Sequence, residues 1–305
     1  MENGQPKTRN WQLLMSLLSP QLMAQLERME LVSRKIFRGR MKGERRSRRK
    51  GQSVEFADFR NYVPGDDLRF IDWNLYARLD KLFLKLFLEE EDLHFYSLID
   101  ASGSMGFGEP SKLQYAKQLA AALGFVGLCR ADRVRVETLG ASRRQPGPVL
   151  RGRQTMWRML DYLEQVEAGE NIPLLDGVKD FCLRNSNQGI LVLISDLMDK
   201  QGYETALRFL LSQQMDVYVI HVLSPEELEP DIAGDLRLVD CEDQDVAEIT
   251  VSRPLLERYQ RTLAAFIHGA REFCTRRGAA YLTASTETPL EQLVSNYLRK
   301  RGLVR

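Results

Sequence analysis

The stretch Ser97-Leu98-Ile99-Asp100-Ala101-Ser102-Gly103-Ser104-Met105 decides how this chain is read. Its apolar first half reads as a buried strand ending at Asp100. Three oxygen-bearing side chains, Asp100, Ser102 and Ser104, then stand at alternate positions. Such a repeat splays along a face if the strand continues, and converges on a point if the chain turns after Asp100. Gly103 and Gly106 permit the turn. One carboxylate with two hydroxyls is a hard ligand set, suited to Mg²⁺ or Mn²⁺ and poorly suited to softer metals. No His or Cys lies within the cluster to argue for zinc.

Outward from this stretch, short apolar strands alternate with helices. Residues 82–88 and 93–99 read as two strands joined by the acidic turn Glu89-Glu90-Glu91-Asp92, which predicts an antiparallel pair. Ser111 is a good N-cap for a long helix carrying Leu113, Ala116, Leu119, Ala120, Leu123, Val126 and Gly127. Strands are expected at 133–139, 189–195, 217–223 and 279–283. Helices are expected at 151–164, 173–183, 203–213, 254–277 and 289–301, with a polar hairpin at 237–252. This alternation predicts an α/β fold, a mostly parallel open sheet with helices on both faces. Ligands in that architecture sit beyond the carboxyl ends of the strands. Two strands end in an acid, Asp100 and Asp196, so both acids are expected at one rim.

The 305 residues are 44% apolar, enough for a full core, and the net charge of +1 conceals a split. Residues 1–50 hold 13 Lys/Arg against 4 Asp/Glu, a local +9, which leaves −8 on the remainder. Residues 1–36 read as helical, with Pro20 following Ser19 at a helix start and Leu22, Leu26, Met29, Val32 and Ile36 at three- and four-residue steps. The run Arg38-Gly-Arg-Met-Lys-Gly-Glu-Arg-Arg-Ser-Arg-Arg-Lys50 follows, a loop or arm able to meet phosphate backbone, an acidic protein surface or the chain's own acidic remainder. No aromatic interleaving suggests base stacking, so nucleic-acid binding is the weaker expectation. The apolar run 13–18 is too short to span a membrane and lacks a signal-peptide pattern, which predicts a cytoplasmic chain. Cys129, Cys182, Cys241 and Cys274 lack paired spacing and are expected to be reduced.

Residues 53–78 interleave aromatics with Asp and Arg around Pro64-Gly65. Arg60, Arg69 and Arg78 can form forked hydrogen bonds to Asp66, Asp67 or Asp72, fixing an extended segment without regular secondary structure of its own. The expected division is therefore 1–80, with N-terminal helix, basic arm and this aromatic segment, and 81–305, the α/β domain.

Asp100-Ala-Ser-Gly-Ser104 resembles the D-x-S-x-S signature of von Willebrand factor A-type domains. Their metal-ion-dependent adhesion site also takes a threonine from a second loop and an aspartate from a third, and Ser195-Asp196 looks like the third loop. The stretch running from Glu55-Phe56 through Arg60-Asn-Tyr-Val-Pro-Gly-Asp-Asp-Leu-Arg-Phe-Ile-Asp-Trp73 to Ala77-Arg78 is similar to the hallmark of the bacterial domain-of-unknown-function family 58. The resemblance implies a Rossmann-like, von Willebrand factor A-type fold and an interaction module, often encoded beside a MoxR-type AAA+ ATPase. One departure concerns the second loop, which reads Ala168-Gly-Glu-Asn-Ile-Pro173, with Glu170 in the threonine's place. Glu170 can bind the cation directly, adding charge. A shifted loop, a decayed site and Thr155 as substitute ligand are the alternatives.

The expected site is thus one divalent cation, Mg²⁺ or else Mn²⁺ or Ca²⁺, held by Asp100, Ser102, Ser104, Glu170 and Asp196, some through water. The expected function is non-enzymatic: a metal-dependent adaptor that docks a protein partner, a MoxR-type AAA+ ATPase, through a partner carboxylate. Metal-dependent phosphoryl hydrolysis at the same strand end is the enzymatic alternative. It lacks the second acid two residues after the nucleophile, where Ser102 stands. The chain has no phosphate-binding Gly-x-x-x-x-Gly-Lys-Ser/Thr loop for ATP.

Overall fold

A computed structural model of the protein describes residues 17–33, 55–88, 93–140, 146–169, 172–185, 187–239 and 245–305. The basic arm, Glu170 and Cys241 lie outside the described residues. The chain divides into two compact units, Met41–Asp92 on the one hand and Met1–Arg40 with Leu93–Arg305 on the other. The strand at 83–88, which the sequence assigns to the α/β domain, thereby belongs to the smaller unit.

Helix α1 (Pro20–Leu26) starts as its sequence predicts, with the Ser19 side chain accepting from the Leu22 N–H and Pro20 in the first turn. It is seven residues long and ends well before Ile36. Instead of continuing the helix, the following backbone pairs with the C-terminal tail: Val32 N–H donates to the Leu303 carbonyl and Arg305 N–H to that of Glu30. Once residues 30–32 have those partners, they cannot close helical turns as well.

In the smaller unit, β1 (Glu55–Asn61) is followed by a 3₁₀ turn at Leu68–Phe70, helix α2 (Trp73–Leu79) and β2 (Phe83–Leu88). The aromatic segment thus has regular structure, contrary to expectation. Of the expected ion pairs, Arg60 meets Asp66 and Arg69 meets Asp67. Asp72 serves differently, capping α2 through the Asn74 and Leu75 N–H groups and pairing with Lys85. Strand β2 pairs antiparallel with β1, and the expected pairing of 82–88 with 93–99 does not form.

In the larger unit the elements follow as β3 (His94–Asp100), α3 (Lys112–Cys129), β4 (Arg133–Leu139), β5 (Val149–Arg151), α4 (Met156–Glu164), α5 (Leu174–Arg184), β6 (Gly189–Ser195), α6 (Glu204–Leu211) and β7 (Met215–Leu223). After them come the short α7 (Pro225–Leu228), the hairpin β8 (Gly234–Val239) and β9 (Val246–Val251), α8 (Arg253–Arg276), β10 (Ala280–Ser285) and a closing helical segment with a π turn at Leu293–Leu298. The central sheet has the order β10-β7-β6-β3-β4-β5, parallel throughout except for the edge strand β5. Strand β3 therefore has parallel neighbours on both sides and no edge left for β2.

Alternation along the strands divides the core. Phe95 and Ile99 of β3 and Ile190, Val192 and Ile194 of β6 pack with α3 and α4 on one face. Tyr96, Leu98, Leu191 and Leu193 pack with α5, α6 and α8 on the other. The β3–β4 connection, α3, lies on the first face, whereas α6 and α8, which connect β6 to β7 and β7 to β10, lie on the second, so between β3 and β6 the winding reverses. Such a reversal opens a crevice beyond the carboxyl ends of the two strands.

At the opposite end of this strand pair Gly189 faces His94. A Cβ at Gly189 would lie 2.1 Å from the His94 carbonyl oxygen, so any side chain must push the strands apart. Gly189→Ala is expected to cost about 1–3 kcal/mol, the usual penalty for overpacking a core. Urea unfolding measures it, and a midpoint equal to that of the unsubstituted protein would contradict the close approach.

Candidate metal centre at the carboxyl edge of the sheet

Asp100 ends β3 and Asp196 directly follows β6, the adjacent strand. Both are buried. After Asp100 the chain leaves the sheet through buried Ala101, whose N–H donates to the Leu139 carbonyl, and enters a 3₁₀ turn at Gly103–Gly106. The turn brings the Ser102 and Ser104 hydroxyl oxygens within 3.1 Å of one another. Gly140 (φ +76°) lies against this backbone, and a Cβ there would sit 3.2 Å from the Ser102 nitrogen.

Asp100 is held from two directions. Its Oδ1 accepts from the Ser102 N–H at 3.0 Å and its Oδ2 from the Ser195 hydroxyl at 2.6 Å. Ser195 Oγ in turn accepts from the Leu197 N–H at 2.9 Å, and Leu197 has a left-handed backbone, φ 58°. For a bulky side chain that conformation is strained. The loop after β6 is therefore tied to the end of β3 by side-chain oxygen rather than by strand pairing. Burial raises the Asp100 carboxyl to about 6, and the charge of Asp196 acts in the same direction, against the hydrogen bonds from Ser195 and Ser102. A carboxylate accepts up to about four hydrogen bonds, so positions for a cation remain on both oxygens.

Asp196 is engaged differently. Its Oδ1 accepts from the Met198 N–H at 3.1 Å, and its Oδ2 accepts from the Lys112 ammonium at 2.7 Å. Lys112 is the first residue of α3 and is 0% exposed. Its ammonium also meets Glu227 in α7. Burial alone would lower its pKa, but Asp196 and Glu227 outweigh burial and raise it. Glu227 closes a capping box with Ser224, whose N–H it accepts at 2.8 Å. Thus β6, α3 and the start of α7 are joined around one buried ammonium. Nearby, the His221 imidazole is pushed down to about 4 by burial, with Nδ1 2.6 Å from the Tyr281 hydroxyl.

Asp100, Ser102 and Ser104 come together, and Asp196 joins them through its charge while turning Oδ2 to Lys112. Glu170 lies outside the described residues. Gly169, which precedes it, donates to the Ala101 carbonyl at 2.8 Å, so the loop leading to Glu170 touches the site. Thr155 is not a ligand. Its hydroxyl donates to the Gly152 carbonyl at 2.8 Å, next to Arg151, which pairs with Arg133 at the amino end of β4. That is the edge opposite Asp100. Cys129, Cys182 and Cys274 are free thiols, as expected. Among the described residues no cluster of three or more His, Cys, Asp or Glu side chains forms, so a cation here would depend on hydroxyls and water as well as acids.

A family model described as "Protein of unknown function DUF58" matches residues 58–267, more than half of the chain. The chain belongs to the DUF58 family. Among its relatives, Uncharacterized protein Rv1480 of Mycobacterium tuberculosis (strain ATCC 25618 / H37Rv) and Uncharacterized protein Mb1516 of Mycobacterium bovis are each 28% identical over 279 residues, covering 90% of this DUF58 chain and 87% of the relative. Among solved structures, BatB from Bacteroides thetaiotaomicron is similar at a TM-score of 0.41 and 14% identity, over 68% of this chain and 98% of that one. An aerotolerance-related membrane protein from Bacteroides fragilis NCTC 9343, with multiple mutations to serines, is similar at 0.40 and 16%, over 68% and 99%. Among the described residues of this DUF58 protein no helix is long and apolar enough to cross a membrane.

Proposed function

We propose that the carboxyl-edge cluster is a divalent-cation site of the von Willebrand factor A type on a Rossmann-like sheet, and that this DUF58 protein is a non-enzymatic, cytoplasmic adaptor. The observation that carries the reading is the 3.1 Å between the Ser102 and Ser104 hydroxyl oxygens beside a buried Asp100 with free lone pairs. Neighbouring oxygens on an octahedral Mg²⁺, each about 2.0–2.1 Å from the ion, stand roughly 2.9 Å apart, so this donor set fits. Ser102 and Ser104 would hold the ion directly, Asp100 directly or through water, and Asp196 through water, because Lys112 holds its Oδ2. Glu170 is the further candidate. A bound cation would supply a positive centre for a carboxylate from a partner, for which a MoxR-type AAA+ ATPase is our candidate.

The protein's own residues supply the rest. Ser195 and the Ser102 N–H orient Asp100, and Lys112 balances the charge of Asp196. The residue two positions after Asp100 is a serine already bonded to Ser104, so no second acid stands ready to protonate a leaving group. The test is recovery of the partner ATPase on immobilised protein with Mg²⁺, with EDTA, and with Asp100→Ala. Recovery is expected to fall about tenfold or more in the last two, the scale of losing a buried charged anchor. Equal recovery in all three would overturn metal-mediated docking.

A further inference from the structure

The Lys112 ammonium has two partners that belong to different parts of the fold. One is Asp196, 2.7 Å away at the end of β6, beside the candidate cation site. The other is Glu227, in the short helix α7. Lys112 is fully buried, so bulk water cannot take the place of a partner that it loses. Glu227 is itself tied into its surroundings. Its Oε2 accepts from the Ser224 N–H at 2.8 Å, and its own N–H donates to Ser224 Oγ at 3.3 Å. Its carbonyl accepts from the Tyr259 hydroxyl at 2.8 Å. Tyr259 lies in the opening turns of α8, ahead of Leu263, the first buried residue of that helix. The ammonium thus links the cation rim to α7, and α7 holds the outward-standing start of α8.

We infer that Lys112 is a charge relay with two seats: a divalent cation at Asp100, Ser102 and Ser104 draws on the Asp196 carboxylate and drives the ammonium onto Glu227, so that cation occupancy stiffens α7 and, through Tyr259, the start of α8. The inference rests on the cation-site reading above. A divalent cation and the ammonium repel one another and compete for the same Asp196 charge. An exposed ammonium would turn to water, whereas this buried one turns to the carboxylate already in contact with it. Linkage makes the effect reciprocal, so a seat on α7 that accepts the ammonium favours the cation by the same factor. Lys112 and Glu227 are therefore positioning residues, acting on the cation through Asp196.

The experiment titrates the full chain calorimetrically with MgCl₂ and follows amide hydrogen exchange at the end of α7 with and without saturating Mg²⁺. Glu227→Gln is expected to weaken Mg²⁺ binding about fivefold or more, and Lys112→Met, which frees Asp196, to tighten it by a similar factor, the scale of coupling between linked sites. Glu226→Gln, the exposed neighbour on the same short helix, controls for the general field of an acid and is expected to leave affinity within about twofold, because an exposed charge is screened. A merely structural role would weaken binding in both Lys112→Met and Glu227→Gln, so the opposite signs are diagnostic. Mg²⁺ is expected to slow exchange of the Leu228 and Glu229 amides, which donate to the Ser224 and Pro225 carbonyls, about fivefold in the unsubstituted protein and not in Glu227→Gln. The Glu227 and exchange measurements carry the test even if Lys112→Met does not fold. Weaker binding in both partners' variants, equal losses in Glu226→Gln and Glu227→Gln, or Mg²⁺ binding that leaves exchange in α7 unchanged would overturn the relay while the cation site stands. Absence of Mg²⁺ binding by the unsubstituted protein would overturn both.

Discussion

Lys112→Met is expected to destabilise the larger unit by about 3–5 kcal/mol, the cost of removing one partner from a buried ion pair. Met fills a similar volume, so packing is nearly preserved and the loss is electrostatic. Without the ammonium, the Asp196 carboxyl, 1% exposed, is left with only the Met198 N–H as a partner. Glu227 loses the ammonium that it shares with Asp196. Urea or thermal unfolding measures the loss. Adding Asp196→Asn to Lys112→Met should restore a large part of it, because a neutral amide no longer needs a counter-ion. Two groups in contact deviate from additivity in this sense. A Lys112→Met protein within about 1 kcal/mol of the unsubstituted one would show that the ammonium is dispensable, against the ordinary behaviour of buried pairs.

The sheet and the rim were legible in sequence for a physical reason. Strands buried on both faces are continuous apolar runs, and 189–195 leaves no other reading. Once both acids are placed at strand ends, a parallel sheet puts them at one edge. Adjacency of β3 and β6 was not legible, because pairing depends on which strand has a free edge. The acidic stretch 89–92 is as short in sequence as a hairpin connection, yet β3 spends both edges on β4 and β6, so β2 pairs with β1. Helix α1 ends early for a similar reason: periodicity marks an apolar face but cannot reveal that a distant tail, residues 303–305, claims the backbone. Within the site, Asp100, Ser102 and Ser104 followed from local spacing. Lys112 and Glu227 did not, because a lone Lys and a capping Glu read as surface residues. One signal pointed to Lys112. A cation directly after the N-cap Ser111 opposes the positive end of the helix dipole, which calls for nearby anions.

Asp100→Asn is expected to make the metal-free protein more stable at pH 7.5 while abolishing its response to Mg²⁺. The folded carboxyl sits at about 6 against an ordinary 3.8. The native state therefore holds its proton to higher pH than the unfolded chain, and the metal-free protein loses stability as pH rises from about 4 to about 6, staying lower beyond. At about 1.4 kcal/mol per pH unit the ionised Asp100 costs on the order of 3 kcal/mol. Asn removes that charge but gives up about one hydrogen bond's worth, ~1 kcal/mol, since its amide must turn toward either Ser195 or Ser102. The net gain, on the order of 2 kcal/mol, is a rise of roughly 4–8 °C in Tm for a unit of this size. It should vanish below about pH 4, where both states are protonated. Mg²⁺ should raise the Tm of the unsubstituted protein most at pH 7.5, where the carboxylate is free to accept a cation, and should leave Asp100→Asn unmoved. Lower stability of the Asn variant at pH 7.5, or an equal Mg²⁺ response in both proteins, would show that Asp100 is a structural acid. A charge buried at a standing cost to stability is the mark of a group kept for binding.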